Sequence, residues 1–139
     1  MEVRFLLDTD TCIYIRRRNP AEVMAKFKEL RPGETALSVI TYGELVYGAE
    51  KSPQSPKAFR DLQELSALIP VLPLPIDAGR AYGSIRAALE SKGEMIGAND
   101  LWIAAHARVA DLTLVTNNVR EFNRVPGLKI QNWVNSTAR

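Results

Sequence analysis

The feature that most constrains the fold is a short apolar run at residues 3–7, which stops abruptly at Asp8. Phe5, Leu6 and Leu7 follow one another without polar residues between them, which is typical of a strand buried on both faces inside a parallel sheet. In open α/β sheets, ligands bind beside the carboxyl ends of the strands. We therefore predict that Asp8 lies at this edge, and other carboxylates that reach it are candidates for the same site.

The rest of the chain alternates between strand and helix patterns. Further strands are predicted at residues 35–38, 70–75, 112–116 and 128–130, and the segments between them carry apolar residues at helical spacing. The prolines at both ends of residues 70–75 favour an edge strand. This alternation predicts a three-layer α/β/α fold, in which helices cover both faces of a central, mainly parallel sheet of four to five strands. The 139 residues suggest one domain, residues 1–139.

The composition excludes several classes of protein. Apolar residues make up 46% of the chain, which argues against disorder. The formal charge of +2 is too small to indicate nucleic-acid binding by itself. A single cysteine, Cys12, excludes an internal disulfide and multi-cysteine metal motifs, and it fits a reducing, cytoplasmic location. No apolar run approaches the length of a membrane span, so we expect no membrane association.

Three consecutive arginines, Arg16, Arg17 and Arg18, follow the first predicted helix. One interpretation is a solvated helix end, where cations are favoured by the dipole of the terminal carbonyl groups. The other is a contact with phosphate groups of a ligand. The sequence leaves both interpretations open.

Two further carboxylates are predicted at the same sheet edge as Asp8. Glu44 lies in the first turn of a helix entered from the strand at residues 35–38, and Asp100 begins an apolar, alanine-rich helix. Each also has a purely structural explanation. Thr41 and Glu44 have the spacing of a capping box, and Asp100 suits a helix amino terminus, although Asn99 provides that cap equally well.

If these three carboxylates converge to about 4–5 Å, each like-charge pair costs about 3–4 kcal/mol at an effective dielectric of about 20. A proton or a cation must then offset the repulsion. Oxygen ligands without histidine or thiolate favour Mg²⁺ or Mn²⁺, and a metal-activated water suits phosphodiester hydrolysis. His106 is the only histidine, and because it does not share the helix face of Asp100 we predict a packed residue without a catalytic role. Cys12 is predicted to be a small buried side chain.

Four segments resemble, in order, the motifs of PIN-domain ribonucleases. They are LLDTD at residues 6–10, GEL at 43–45, IGANDLWIAA at 96–105 and VTNNVREF at 115–122. The resemblance covers nearly the whole chain and is closest to the VapC-type toxins of type II toxin–antitoxin systems. It implies a PIN-like fold, a Mg²⁺-dependent endoribonuclease acting on RNA such as tRNA, a cognate VapB-like antitoxin that blocks the acidic pocket, and a homodimer.

The resemblance also implies roles for individual residues. Asp8 and Asp100 match the principal metal ligands, and Glu44 matches the acidic residue of the second motif. Asn118 stands where many relatives have aspartate, so either Asn118, by orienting water or phosphate, or Glu121, as a fourth carboxylate, completes the site. Two small polar residues are expected close to the substrate or behind these groups: Ser38 and Thr116.

Two other functions remain compatible with the residue pattern. The first is a receiver-like domain that accepts a phosphoryl group at a Mg²⁺-binding acidic cluster. Such a domain usually needs acids after its first and third strands and a late lysine, whereas Glu44 follows the second strand. The second is a non-catalytic interaction domain whose helix caps happen to be acidic.

Overall fold

The computed structural model describes residues 2–134, which form a five-stranded, all-parallel sheet and seven helices. The strands are β1 (Phe5–Leu7), β2 (Thr35–Ser38), β3 (Val71–Leu72), β4 (Thr113–Val115) and β5 (Ile130–Gln131). The helices are α1 (Thr9–Arg17), α2 (Ala21–Lys28), α3 (Val39–Glu50), α4 (Ser55–Leu68), α5 (Asp77–Lys92), α6 (Ala98–Val109) and α7 (Val119–Phe122). The predicted α/β fold is confirmed.

The order of the strands is β3-β2-β1-β4-β5, with β1 at the centre and β3 at one edge, as its prolines predicted. The chain therefore builds the sheet outward from β1 in one direction and then returns to add β4 and β5 on the other side. Ligands bind at such a reversal point, which here lies between the carboxyl ends of β1 and β4. A receiver-like domain has the order 2-1-3-4-5 instead, so the sheet excludes that alternative.

Side chains of β1 point alternately into two cores, one on each face of the sheet. Leu6 packs into a cluster supplied largely by α5 and α6, whereas Phe5 and Leu7 pack with side chains from α1 to α4. All three are buried, because a central parallel strand is covered by helices on both sides. Cys12 belongs to the second core and is fully buried, as predicted. None of the helices within residues 2–134 is both long and apolar enough to cross a membrane.

Helix starts were predicted less accurately than helix positions. Helix α3 begins at Val39, and its amino terminus is capped by Ser38, whose Oγ accepts a hydrogen bond from the backbone N–H of Ile40. The predicted capping box of Thr41 and Glu44 is therefore wrong, because Thr41 lies inside the helix. Asn99 is likewise not a cap, since α6 begins at Ala98, after Gly97.

Candidate functional site

Asp8 immediately follows β1 and caps the amino terminus of α1. Its Oδ1 accepts a hydrogen bond from the backbone N–H of Thr9 at 2.7 Å, and its Oδ2 accepts one from the Thr116 hydroxyl at 2.8 Å. The residue is only 6% exposed. Burial, together with the nearby charges of Asp10 and Asp100, raises the pKa of Asp8 from 3.8 to about 7, although both hydrogen bonds act in the opposite direction. Asp8 is therefore held in one position at a considerable electrostatic cost.

Asp100 lies in the first turn of α6, as predicted. Partial burial, together with the charges of Glu121, Glu44 and Asp10 in that order, raises its pKa from 3.8 to about 6. These residues come from four separate segments of the chain. Their mutual electrostatic influence indicates that the fold gathers them at one place, beside the carboxyl ends of β1 and β4.

Glu44 links three helices. The hydroxyl of Thr9, on α1, donates a hydrogen bond to Glu44 Oε1, and Asn99 Nδ2, on α6, donates to Glu44 Oε2 at 3.1 Å. Glu44 and Asp100 also line the same shallow depression, with a volume of about 360 Å³. Thr41 does not cap α3, so a capping box does not explain Glu44. Its side chain instead accepts hydrogen bonds from residues of α1 and α6.

Asp10 is a member of the cluster that the sequence reasoning did not single out. Its Oδ2 accepts a hydrogen bond from the backbone N–H of Asn117 at 3.2 Å, which ties α1 to the segment after β4. Burial raises its pKa, and its charge in turn raises the pKa of both Asp8 and Asp100. Acidic residues are common in the first turn of a helix. The only sequence signal that could have identified Asp10 as part of the site is its position two residues after Asp8.

Asn118 and Glu121 are joined to each other at the start of α7. Asn118 Nδ2 donates to Glu121 Oε1 at 2.9 Å, while the backbone N–H of Asn118 donates to the Thr116 hydroxyl at 2.9 Å. That hydroxyl is the same group that donates to Asp8. A short hydrogen-bonded chain thus connects Glu121 to Asp8 through Asn118 and Thr116.

Ser38 and Thr116 are both fully buried, so they support neighbouring side chains and do not present hydroxyl groups to a substrate. Ser38 Oγ caps α3 and lies 2.9 Å from Nδ1 of His106. His106 is buried, and burial lowers its pKa, so the imidazole is neutral at pH 7. These contacts agree with the prediction that His106 is a packed, hydrogen-bonded residue.

The donor set of the site suits a hard divalent cation. All candidate ligands are carboxylate oxygens, and the raised pKa values of Asp8 and Asp100 indicate that protons or a cation must offset repulsion there. Within residues 2–134, no three acidic, histidine or cysteine side chains form a closed ligand group. Mg²⁺ does not require one, because it retains several waters and binds through one or two protein carboxylates. Asp8 and Asp100 therefore fit such an ion.

Comparisons with known proteins agree with this geometry. A model of the PIN domain family matches residues 5–128. The chain is 39% identical over 132 residues to "Ribonuclease VapC2" of Haemophilus influenzae, covering 95% of this chain and 99% of the relative. It is 40% identical over 131 residues to "tRNA(fMet)-specific endonuclease VapC" of Shigella flexneri, covering 94% and 98%.

Solved structures give the same result for the fold. The toxin–antitoxin complex VapBC2 of Rickettsia felis, bound to a DNA fragment from its promoter, contains a chain that superposes with a TM-score of 0.88 at 34% identity, covering 94% of this chain and 99% of that chain. DNA-bound VapBC of Salmonella typhimurium gives a TM-score of 0.88 at 38% identity, covering 94% and 98%. The chain therefore belongs to the PIN-domain family and, within it, to the VapC-type ribonucleases.

Proposed function

We propose that this VapC-type ribonuclease is a Mg²⁺-dependent endonuclease that cleaves tRNA and serves as the toxin of a VapBC pair. The observation that carries the proposal is that Glu44 accepts hydrogen bonds from Thr9, next to Asp8, and from Asn99, next to Asp100, so three carboxylates from distant parts of the sequence lie at the carboxyl edge of the sheet. Buried like charges are tolerated when a cation offsets them. Mn²⁺ is expected to substitute, because it prefers the same oxygen ligands.

The side chains divide into ligands and groups that hold them. Asp8 and Asp100 are the principal ligands, with Glu44 beside them; when bound, the metal activates a water and neutralises charge on the phosphoryl group. Thr116 and the Thr9 N–H fix the two oxygens of Asp8. Because these donors are set before the ion arrives, little reorganisation is needed when it binds.

The remaining acid of the set, Glu121, is the proposed fourth catalytic carboxylate. Asn118 donates a hydrogen bond to Glu121 Oε1, and the charge of Glu121 raises the pKa of Asp100, which supports a position of Glu121 close to that ligand. In that position Glu121 orients a water, or accepts a proton from one, beside the scissile phosphate. Asp10 adds a further negative charge and anchors the segment after β4 through Asn117.

The substrate and partner are proposed from the relatives. The Shigella flexneri relative and a 38% identical one of Salmonella typhimurium are both named tRNA(fMet)-specific endonucleases, which supports tRNA as the substrate class. The structural neighbours are complexes of VapB with VapC, which supports a VapB-like antitoxin that covers the acidic site. A homodimer, a cytoplasmic location and a single domain spanning residues 1–139 complete the proposal.

The test is a cleavage assay on total RNA and on purified initiator tRNA, with and without EDTA. We expect cleavage by the unaltered protein, loss of cleavage in EDTA, and recovery when Mg²⁺ or Mn²⁺ is added in excess. Asp100→Asn should be inactive, whereas Asp77→Asn, which changes an exposed acid at the start of α5, should cleave normally. Calorimetric titration with Mn²⁺ should show binding to the unaltered chain and weaker binding to Asp100→Asn.

Two results would contradict the proposal. Cleavage that survives EDTA would point to metal-free chemistry. Unchanged cleavage and Mn²⁺ binding by Asp100→Asn would show that the acidic cluster is not the site, and would favour the non-catalytic interpretation in which these acids are only helix caps.

A further inference from the structure

Two adjoining cavities run from the acidic site along the space between α1 and α4. The first, of about 280 Å³, is lined at one end by Glu44 and Thr9, and the second, of about 440 Å³, is lined by Arg17 and Arg18. Three residues belong to both cavities and make them continuous: Arg16, Lys57 and Asp61. We call the two cavities together the α1–α4 groove.

The three arginines of this groove are not used by the fold. All three side chains are exposed, and no side-chain hydrogen bond or ion pair engages them within the part of the chain that the structure describes. Among the described residues four ion pairs form, including those of Arg4 with Glu34 and Arg86 with Glu90, and none of the four involves these arginines. A helix end accounts for one or two cations through the dipole, but it does not require three adjacent arginines that open onto a cavity.

The charge of the groove is positive although acids are present. Lys57 and Asp61 pair with each other at 3.0 Å on α4, and Glu64 also lines the second cavity. Glu44 lines the first cavity, so two acids remain against the three arginines and the whole groove has an excess of one positive charge. The second cavity, which Glu44 does not line, has an excess of two. In a chain whose net charge is only +2, this places a local cationic surface directly beside the carboxylates. A polyanion approaching an acidic catalytic site needs such a surface, because the carboxylates themselves repel it.

The length of α1 sets the distance between the two regions. Asp8 caps the amino terminus of α1, and Arg17 is its last residue. At a rise of 1.5 Å per residue, these two residues are separated by about 14 Å along the helix axis. That distance corresponds to about four stacked nucleotides at a rise of about 3.4 Å each, and to fewer if the strand is extended.

Gly48 leaves free space beside the backbone of α3 in the wall of the groove. It lies in the interior of α3 and lines the first cavity, and a Cβ atom built on it would meet nothing within 4 Å. Glycine inside a helix costs about 0.5–1 kcal/mol relative to alanine, and here no neighbour in the protein requires it. A bare backbone in the wall of a groove permits close approach of a ligand.

From these observations, and on the basis of the proposed nuclease function, we infer that the α1–α4 groove is the track for the RNA strand beside the scissile phosphate. Arg16, Arg17 and Arg18 contact phosphate groups, and Gly48 leaves room for the strand. These residues bind and position the substrate, and they take no part in the chemical step.

The test measures RNA binding without cleavage. A fluorescein-labelled tRNA transcript is titrated, in Mg²⁺, with Asp100→Asn protein that also carries Arg16→Gln and Arg17→Gln. The matched control carries Arg80→Gln and Lys92→Gln, which remove two exposed cations from α5. We expect the groove variant to bind about 3- to 10-fold more weakly at about 0.15 M salt, and its slope of log K against log salt to be smaller by about 1–2. The control should match its parent.

A second variant tests the shape of the groove without changing its charge. Gly48→Leu should weaken tRNA binding, whereas Gly83→Leu, at an exposed glycine of α5 where a Cβ also meets nothing, should not. Circular dichroism of all variants checks that the helical content is retained. In the cleavage-competent protein, the arginine and Gly48→Leu changes should raise KM more than they lower kcat.

The outcomes separate this inference from the proposed function. If the unaltered protein fails to cleave RNA but the arginine variant loses tRNA binding, the groove is supported and the nuclease proposal fails. If cleavage occurs but the arginine variant binds tRNA as its parent does, or no more weakly than the α5 control, the groove inference is overturned. The inference is also overturned if the arginine variant binds tRNA as its parent does but no longer binds an acidic protein. The groove would then be assigned to that protein partner.

Discussion

Replacing Asp8 by asparagine should stabilise the metal-free protein, and the gain should grow with pH. The pKa of Asp8 is raised from 3.8 to about 7, so the folded state binds a proton that the unfolded state releases in this range. Stability therefore falls as the pH rises from about 4 to about 7. At about 1.36 kcal/mol per pH unit, the full penalty for the ionised carboxylate is about 4 kcal/mol at pH 8.

The substitution does not recover all of that free energy. Asparagine caps helices as well as aspartate does, and its Oδ1 still accepts the Thr9 N–H. Its amide nitrogen, however, would face the Thr116 hydroxyl, which already accepts a hydrogen bond from Asn118. Allowing about 1–1.5 kcal/mol for this lost interaction, we expect Asp8→Asn to be about 2–3 kcal/mol more stable at pH 8 and within about 1 kcal/mol of the unaltered protein at pH 5.

The assay is urea denaturation in EDTA at both pH values, followed by circular dichroism. Asp8→Ala is the matched variant, because it removes the charge and also the cap, and it should be about 0.5–2 kcal/mol less stable than Asp8→Asn. Titration of other groups, including His106, cancels when each variant is compared with the unaltered protein at the same pH. With saturating Mg²⁺, the advantage of Asp8→Asn should shrink, because only the unaltered site gains binding free energy.

The reasoning would be refuted by a difference between Asp8→Asn and the unaltered protein that is the same at pH 5 and pH 8. It would also be refuted if Asp8→Asn were the less stable protein at pH 8 without metal. Either result would mean that Asp8 is an ordinary helix cap whose charge costs little, and that the acidic cluster is not under electrostatic strain.

Three further predictions concern the residues behind the site. Ser38→Ala should destabilise the fold by about 1–3 kcal/mol in urea denaturation, because it removes the cap of α3 and leaves Nδ1 of buried His106 without its partner. His106→Gln should remove part of the acid sensitivity between pH 7.5 and pH 5: burial lowers the pKa of His106, so stability is lost as the pH falls through about 6.5, where the unfolded imidazole binds a proton. Thr116→Val should shift the pH–rate profile of cleavage toward higher pH, because the Thr116 hydroxyl lowers the pKa of Asp8; an unchanged profile would show that this hydrogen bond does not tune the site.

The sequence predicted the fold well where local patterns and burial agree. The apolar runs at β1 and β4 stop at polar residues, which is typical of central parallel strands. Strand β4 lies within one residue of both predicted bounds, and β1 ends at Leu7 as predicted but begins two residues later, at Phe5. The order of the strands was not predictable from these runs. Every parallel strand of this kind shows a similar pattern, and pairing between β1 and β4 depends on contacts about 108 residues apart.

The sequence predicted which residues belong to the candidate site better than it predicted the contacts between them. Local spacing suggested Thr41 as the cap for Glu44, yet Ser38 caps the helix from within the preceding strand. Asn99 was assigned a capping role, but it donates to Glu44 across 55 residues of sequence. Both errors have the same cause. A polar residue near a helix start can cap the helix or belong to a functional site, and tertiary contacts determine which role it has.

Asp10 shows why the cluster is better explained by chemistry than by helix capping. If these acids served only as caps or dipole partners, each helix start would need one carboxylate, and α1 already has Asp8. A second, partly buried acid two residues later raises the pKa of Asp8 and of Asp100, so it makes the metal-free fold less stable rather than more. Local rules are broken in this way at functional sites, where other parts of the fold offset the strain. The added charge is useful once a cation is present, because it increases the attraction of the site for that cation.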